Sequence, residues 1–575
     1  MQTGSSEQDL VLARLRTALE VQRNYLSGYK RPSEPIAYET LRTLDDLFMR
    51  ELMEPAHPDD VVDLQFRNIS AWGVNHALSR IVPRIPLSGP FWDFPSQPSI
   101  QAQADDFVFN CGALGLSERF EGWLREGILV GELRLPPESK QDDVGDILEL
   151  RSVASSYSDE EIGLAGLRWA GEQTLAEDHS FELMLEERHR KLQPELERRV
   201  ALIDGWRMSY ESTPEIDNHF LDWGRFYLRR KFSQDMIGPE ETIGGRPFSQ
   251  YLAVLSVLSG RSQMQIAFAA ILLARHPSVH IRNLLTSYLD RETFIEILAG
   301  KMDADRGEIE SILASLILTG DNLEAHTRSG ETAWAPIVQA STDNLILPIY
   351  GLDINPFLFL LTDLRFRYEP DWFKLANNRE RRWIEEIESL FEQPQWQTHN
   401  RNLRLREDGK TLTDIDFGLY DRVANELALF QLKWQHPVGI DNRGRRSTGK
   451  NLLDESNRWV DIVISWLNQY GVDELVRRLK FDSSTSPTVY LFVLGRYHVH
   501  FSGFDSRDTR AVWSDWAHFR RSRVEGPGTA TVAELAARLQ STIEESRSMK
   551  SGQSLMFPVG DLAVVLNPKS APAVR

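Results

Sequence analysis

The chain has 575 residues, of which 41% are hydrophobic and 26% charged, and this balance is typical of globular proteins and excludes wholesale disorder. Acidic residues outnumber basic ones, 84 to 65, and the formal net charge of −19 excludes a surface that attracts nucleic acid indiscriminately. A single cysteine, Cys111, excludes an internal disulfide framework and a cysteine-rich zinc module. The length predicts about three or four domains, and the cysteine usage predicts a reducing, cytoplasmic compartment.

Apolar segments in the sequence are short. The first residues, MQTGSSEQDLVLARLRTALE, lack the charged start and uninterrupted apolar core of a signal peptide. Further along, the apolar runs 251–258, 266–274 and 358–361 are each soon interrupted by charged residues or glycine. None approaches the roughly 20 apolar residues that a membrane helix needs. We therefore predict a soluble protein without a membrane partner.

The first two-thirds of the sequence is predicted to be helical. Apolar residues recur at spacings of three and four, with charged residues between them, in segments such as 159–176 and 181–210. The same pattern continues to residue 370. We predict two helical regions, residues 1–210 and 211–370, that recognise a partner, sense a signal or hold the rest of the chain inactive.

The pattern changes after Pro370, where segments of strand character begin. In chain order the sequence predicts a helix at 376–392, strands at 402–405, 411–420 and 427–434, a helix at 452–470 and a strand at 488–494. This order is typical of a small α/β core with a mixed sheet, which we predict over residues 371–510. A C-terminal extension, 511–575, would hold one helix and one strand. The predicted fold class is therefore α+β multidomain, with a large mostly α-helical N-terminal region before the α/β core.

The residues that indicate chemistry lie in the segment DGKTLTDIDFGLYDRVANELALFQLKWQ, 408–435. Alternate side chains of a strand share a face, so Asp414 and Asp416 point the same way, as do Gln431 and Lys433 on the next strand. Pairing of the two strands through a hairpin turn would bring two acids beside an amide and an ammonium. The apolar neighbours of Lys433 indicate a buried strand, where a lysine needs a specific reason.

Carboxylate and amide oxygens are the ligands that Mg²⁺ prefers, and the ion keeps several waters. A bound Mg²⁺ would polarise a phosphoryl group and help to produce hydroxide, while a nearby lysine stabilises the charge that develops on the phosphorus. The set Asp414, Asp416, Gln431 and Lys433 therefore predicts hydrolysis of phosphodiester bonds with Mg²⁺ or Mn²⁺ as cofactor.

Asp-x-Asp near the end of one strand, followed by an apolar strand ending in Gln-x-Lys, resembles the PD-(D/E)xK superfamily of restriction-endonuclease-like nucleases. Gln431 in place of the usual acid resembles the Mrr-type branch. The resemblance covers residues from about 379 to 504. It implies that Asp416 binds the metal with Asp414 as a helper, that Gln431 takes the second-strand position as a further metal ligand, and that Lys433 is the catalytic lysine.

The resemblance further implies a glutamate on the preceding helix, for which Glu386 is the first candidate and Glu380 the second. A nuclease in the cytoplasm needs control, which suits the helical regions as a regulatory attachment. The resemblance implies DNA as the nucleic acid and bacterial restriction or anti-phage defence as the role, while the residues themselves leave open the choice between DNA and RNA, the oligomeric state and any regulatory protein partner.

A basic segment, HPVGIDNRGRRSTGKN, follows Lys433. Eleven Lys and Arg residues stand against nine Asp and Glu between Arg401 and Val460, which makes this part mildly basic within an acidic chain. We predict a flexible loop that contacts the phosphate backbone. The basic residues predicted to bind nucleic acid are Arg443, Arg445, Arg446 and Lys450.

Two alternatives to a nuclease remain open at this stage. Residues 444–451 nearly match the phosphate-binding P-loop, although Asn451 replaces the hydroxyl that would reach Mg²⁺, and a nucleotide-dependent switch would depend on Lys450. The other alternative is a non-catalytic scaffold with a degenerate nuclease fold, which is consistent with Gln431 because an amide neutralises a metal less well than a carboxylate.

Overall fold

The computed structural model describes fourteen stretches of the chain. They are residues 3–29, 34–53, 61–85, 93–134, 146–153, 178–231, 237–328, 332–434, 442–483, 485–497, 499, 507–528, 530–548 and 554–571. About 59% of these residues are helical and 20% lie in strands, so the protein is mixed α/β, as predicted. The helix predicted at 159–176 lies outside the described residues.

The helices carry apolar residues at helical spacing, as the sequence indicates, but the helix predicted at 181–210 ends at Arg199, and residues 200–210 form a two-stranded hairpin. Their bounds are α1 Thr3–Gly28, α2 Glu34–Met53, α3 Val61–Ser70, α4 Val74–Ile81, α5 Pro98–Arg125, α6 His179–Arg199, α7 Pro214–Lys231, α8 Phe248–Arg275, α9 Arg282–Leu285, α10 Arg291–Met302, α11 Arg306–Leu313, α12 Leu323–Thr327, α13 Ile349–Ile354, α14 Pro356–Arg367, α15 Glu369–Lys374, α16 Ala376–Ser389, α17 Asn442–Tyr470, α18 Val472–Leu479, α19 Trp516–Val524 and α20 Val532–Ser548. Two short 3₁₀ turns, Ala71–Gly73 and Val82–Arg84, flank α4.

The strands begin at Leu129, and both regions predicted to be helical contain some of them. Their bounds are β1 Leu129–Arg134, β2 Ile147–Val153, β3 Val200–Ile203, β4 Arg207–Tyr210, β5 Thr242–Ile243, β6 Arg246–Pro247, β7 Ser287–Asp290, β8 Ile317–Leu318, β9 Ile337–Gln339, β10 Asn344–Leu347, β11 Trp396–His399, β12 Leu403–Glu407, β13 Lys410–Ile415, β14 Phe417–Asp421, β15 Glu426–Lys433, β16 Thr488–Gly495, β17 Ala511–Asp515, β18 Leu555–Val559 and β19 Leu562–Ala571.

The C-terminal strands belong to the N-terminal part of the fold. A four-stranded sheet has the order β1-β2-β19-β18, with β19 parallel to β2, and its apolar face packs on α1 and α5. The strand pairing therefore divides the predicted extension 511–575. Its first strand, β17, joins the central sheet, while β18 and β19 complete the N-terminal sheet, because β2 would otherwise leave an unpaired edge.

The second helical region is built on α8 and contains a small sheet that the helical prediction lacked, with the order β7-β10-β9-β8. Within the described residues, α8 is the one helix that is long and apolar enough to cross a membrane by length and composition. Half of its most apolar window is buried inside the protein. Such burial is typical of the central helix of a globular core.

The central domain is a five-stranded mixed sheet with the order β11-β14-β15-β16-β17. The first three strands are antiparallel, and β15, β16 and β17 are parallel to one another. Alternate residues of β15 enter two different cores: Leu427 and Leu429 pack with α17 and α18, while Ala428 and Phe430 pack with α16, α19 and α20. Helices thus cover both faces, which explains why the sequence of β15 is almost continuously apolar.

Two predicted features of the central domain differ from the structure. The single strand expected at 411–420 is divided at Asp416, because β13 pairs with β12 while β14 pairs with β15. The loop expected after Lys433 is in its second half helical, since α17 begins at Asn442 rather than near residue 452.

Candidate active site

The predicted acids lie where the chain passes from one strand pair to another. Asp414 is in β13, and Asp416 stands between β13 and β14. The backbone N–H of Asp416 donates to the carbonyl of Phe430 at 3.0 Å, which places Asp416 next to Gln431 on β15. The structure therefore brings Asp416 and Gln431 together, as the sequence predicts.

The Asp416 carboxylate is 5% exposed and is held by two donors on one oxygen. Gln431 Nε2 lies 2.6 Å from Oδ2, and the backbone N–H of Leu432 lies 2.7 Å from the same atom. These bonds fix Oδ2, while the other oxygen, Oδ1, has a long contact with Asn402 at 3.4 Å. Gln431 itself is buried, at 7% exposure, so its amide is committed to this contact.

Asn402, which sequence reasoning missed, joins the two aspartates. Its Nδ2 atom donates to Asp414 Oδ2 at 2.8 Å and lies 3.4 Å from Asp416 Oδ1. The two carboxylates thus converge on one amide group. Trp459 of α17 fixes this arrangement from the other side, because its indole N–H donates to the carbonyl of Asp414 at 2.7 Å.

Lys433 ends β15 and forms an ion pair with α17. Its Nζ lies 3.0 Å from Glu455 Oε2, with the lysine side chain 22% exposed and the glutamate 58% exposed. An ion pair with so exposed a partner contributes little stability and is easily exchanged. The ammonium can therefore turn from Glu455 toward an incoming anion.

The carboxylates of the site repel one another, and burial adds to the effect. Burial is the main cause that raises the pKa of Asp416 to about 7, and the charges of Glu380 and Asp414 raise it further. The N–H of Leu432 and the charge of Lys433 oppose this shift. Burial and then Asp414 also raise the pKa of Glu380, while Lys433 lowers it. We call Glu380, Asp414, Asp416, Gln431 and Lys433 the acidic site.

Glu386, the first candidate for the helix glutamate, points to a different partner. Its carboxylate forms a two-pronged ion pair with Arg496 at 2.6 and 3.2 Å. The Arg496 guanidinium is buried among the rings of Trp383, Trp434 and Trp516. The second candidate, Glu380, lies two helical turns earlier and is the α16 glutamate whose charge acts on Asp416.

The prediction of a flexible basic loop is wrong for residues 442–450, which form the first turns of α17. A P-loop needs a glycine-rich loop between a strand and a helix, so the helical conformation of residues 444–450 argues against the nucleotide-binding alternative. Lys450 is exposed, while the side chains of Arg443, Arg445 and Arg446 lie outside the described residues. The helix forms because Leu452 and Leu453 bury themselves under the sheet.

The donor chemistry of the acidic site suits a hard divalent cation. In the part of the chain that the structure describes, no group of three or more His, Cys, Asp or Glu side chains is arranged to hold a metal ion. Asp414 and Asp416 nevertheless converge on the positively polarised N–H atoms of Asn402. Since Mg²⁺ in proteins is often held by one or two carboxylates and several waters, these two residues fit it.

Comparison of the chain with protein-family models, with curated proteins and with solved structures finds no match of any of the three kinds.

Proposed function

We propose that the chain is a metal-dependent nuclease whose central domain hydrolyses phosphodiester bonds, with DNA as its substrate. The observation that carries the proposal is the buried Asp416 carboxylate, whose pKa is raised to about 7 among like charges and beside Lys433. A carboxylate in such surroundings is destabilised as an anion, and a divalent cation would relieve that cost.

The architecture of the central domain supports the same proposal. Helix α16, strands β12 to β15, helix α17 and strand β16 follow in the order that the sequence predicts, and β11, which the sequence prediction lacked, forms one edge of the mixed sheet. This order supports a restriction-endonuclease-like core of the PD-(D/E)xK type, to which the Gln-x-Lys pattern of β15 is similar. The fold alone does not determine activity, so the proposal depends on the acidic site.

Each residue of the acidic site has a distinct role in the proposed hydrolysis. Asp416 and Asp414 would hold Mg²⁺ or Mn²⁺, which when bound polarises the phosphate and lowers the pKa of a coordinated water. Gln431 orients Asp416 through its amide N–H. Lys433 stabilises the negative charge that develops on the phosphate oxygens. Glu380, whose pKa is raised, accepts a proton from the attacking water.

The second helical region is attached to the helix that carries Glu380. Arg382 of α16 lies 3.1 Å from Glu241, and both side chains are largely buried. A shift of this region would move α16 relative to β15 and so separate Glu380 from Asp416. This contact is the physical basis on which we propose that the helical regions control a cytoplasmic nuclease used in restriction or anti-phage defence.

The test is cleavage of plasmid, linear duplex DNA, single-stranded DNA and RNA by the full chain, with Mg²⁺, Mn²⁺ or EDTA. Lys433→Gln is compared with Lys374→Gln, which changes an exposed lysine of α15. We expect metal-dependent cutting that Lys433→Gln reduces by about 10²-fold or more and Lys374→Gln leaves unchanged. Equal cutting by both variants would exclude Lys433 from the reaction and favour the non-catalytic scaffold.

A further inference from the structure

Hairpin β12–β13 forms a short two-stranded ribbon beside the acidic site. Asp408 and Gly409 connect its strands and both have positive φ, 47° and 78°, as a tight two-residue hairpin turn requires. Leu405 and Ile415 on its inner face are buried in the core shared with α17 and α18. The ribbon therefore has a fixed inner face and an outer face open to solvent.

Two tryptophans of α17 hold the backbone of the ribbon. The indole N–H of Trp459 donates to the carbonyl of Asp414 at 2.7 Å, and that of Trp466 donates to the carbonyl of Arg406 at 3.3 Å. Both contacts are made to backbone atoms. The outer side chains can therefore be replaced without loss of the contacts that position the ribbon.

Exposed cations without acidic partners cover the ribbon and the residue that leads into it. They are Arg401, Arg404, Arg406 and Lys410. None of the four forms an ion pair with any residue that the structure describes, whereas exposed arginines elsewhere do so, as Arg477 does with Glu474. The same segment carries Glu407, Asp408 and Asp414, so the observation is that its four cations are exposed and form ion pairs with none of these acids, which leaves them available to an anion.

The register of the ribbon places two of these arginines close to the acidic site. Arg404 stands directly opposite Asp414, so its side chain emerges on the same face as that carboxylate. Arg406 follows two residues later, about 7 Å further along the strand. A chain of phosphates that crosses these two arginines would continue toward Asp414 and Asp416. Because the chain has a net charge of −19, a nucleic acid would be attracted to the arginines of the ribbon rather than to the rest of the surface.

The ribbon also indicates which nucleic acid it receives. Residues 401–415 contain no aromatic side chain, and single strands are usually gripped by aromatic rings on which bases stack. The major groove of duplex DNA accepts a two-stranded ribbon, whereas that of duplex RNA is too narrow. We propose that the outer face of β12–β13 binds the phosphates of duplex DNA and leads them to the acidic site, an inference that rests on the proposed nuclease function.

The test is fluorescence anisotropy of a labelled duplex DNA titrated with the full chain over a range of salt concentrations. Binding is measured in EDTA, and again in Mg²⁺ in an Asp416→Asn background, so that cleavage does not interfere. We expect Arg404→Ala/Arg406→Ala to weaken binding by about tenfold or more and to reduce the slope of log K against log salt by about two. Single-stranded DNA and duplex RNA should bind more weakly than duplex DNA.

The matched control is Arg198→Ala/Arg365→Ala, which removes two exposed arginines from α6 and α14 and should bind like the wild type. Equal losses in both double variants, an unchanged salt slope, or tighter binding of single strands would overturn the proposal. If the ribbon variant loses binding but the wild type shows no metal-dependent cutting, the ribbon binds DNA and the proposed nuclease function is wrong. If the wild type cuts DNA and the ribbon variant binds and cuts it equally well, the proposed DNA-binding role of the ribbon is wrong and the nuclease function stands.

Discussion

Gln431 Nε2 lies 2.6 Å from Asp416 Oδ2, so an amide of the central strand holds the carboxylate that the sequence marks as the metal ligand. The N–H of Leu432 binds the same oxygen, and the other oxygen is left with a long contact to Asn402. The fold thus fixes Oδ2 of Asp416, while Oδ1 is available to a ligand. In the proposed nuclease, this division would leave Oδ1 to the metal while the Gln431 amide holds Oδ2.

Replacement of Gln431 by glutamate tests this division. In the absence of metal, Gln431→Glu puts a second carboxylate within hydrogen-bond distance of Asp416, and we expect it to lower the free energy of unfolding by about 1–3 kcal/mol. Added Mg²⁺ should stabilise this variant more than the wild type, because a cation removes the repulsion. Thermal unfolding with and without Mg²⁺ measures both effects, and a smaller Mg²⁺ response in the variant would contradict the account.

The raised pKa of Asp416 predicts how stability depends on pH. The pKa of Asp416 is about 7 in the folded chain and near 3.8 in the unfolded chain. Between these two pH values, the folded chain keeps a proton on Asp416 that the unfolded chain has lost. The stability gained from protonated Asp416 is therefore present at low pH and is lost as the pH rises through about 7. Asp416→Asn should be the more stable protein, relative to wild type, at high pH.

Urea unfolding in EDTA at about pH 5 and about pH 8 measures this difference. We expect the advantage of Asp416→Asn over the wild type to grow between the two pH values by on the order of 1–3 kcal/mol. The same titration predicts that Mg²⁺ binds the wild type more tightly above pH 7 than below it. A difference that stays constant with pH would show that Asp416 titrates at its ordinary pKa.

Glu380→Gln should reduce metal-dependent cutting by about tenfold to 10³-fold while leaving the fold intact. The variant removes one of the charges that raise the pKa of Asp416, so the pKa of Asp416 should fall. The pH at which the cutting rate reaches half its maximum reports this shift. Wild-type rates and an unmoved pH profile in Glu380→Gln would exclude Glu380 from the acidic site.

Glu386→Gln should lower the stability of the fold rather than the rate of cutting. Its partner Arg496 is 6% exposed, and removal of the glutamate charge deletes an ion pair of that buried guanidinium. We expect the free energy of unfolding to fall by about 1–3 kcal/mol, with the rate of cutting per folded molecule unchanged. The pair Glu380→Gln and Glu386→Gln thus separates the two helix glutamates, and the reverse pattern would restore Glu386 as the site residue.

The order of elements in the central domain could be predicted from the sequence because its core strands are strongly apolar. Leu427 and Leu429 lie on one face of β15 and Phe430 on the other, as the pattern requires. The division of the predicted strand at Asp416 was missed, although the Asp408-Gly409 pair is a recognisable hairpin signal. Counting outward from that turn would have paired β12 with β13 and brought Asn402 near the aspartates.

Long-range contacts could not be predicted from local pattern. Helical spacing places both Glu380 and Glu386 beside apolar residues of α16, and only the packed structure shows that Arg496, more than a hundred residues later, pairs with Glu386. The pairing of β19 with β2 joins residues as distant in sequence as Ile147 and Ala563 and has no local signal. The polar composition of residues 442–450 suggested a loop, but burial of the following leucines extends α17 through them.

The proposed nuclease function is tested by measuring how fast the wild-type chain and Asp416→Asn cut duplex DNA at increasing Mg²⁺. We expect saturable, Mg²⁺-dependent cutting by the wild type and a loss of about 10³-fold or more in the variant, which keeps the shape of the side chain and removes its charge. Cutting that is independent of Mg²⁺, or that persists in Asp416→Asn at the wild-type rate, would contradict a nuclease site built on Asp416.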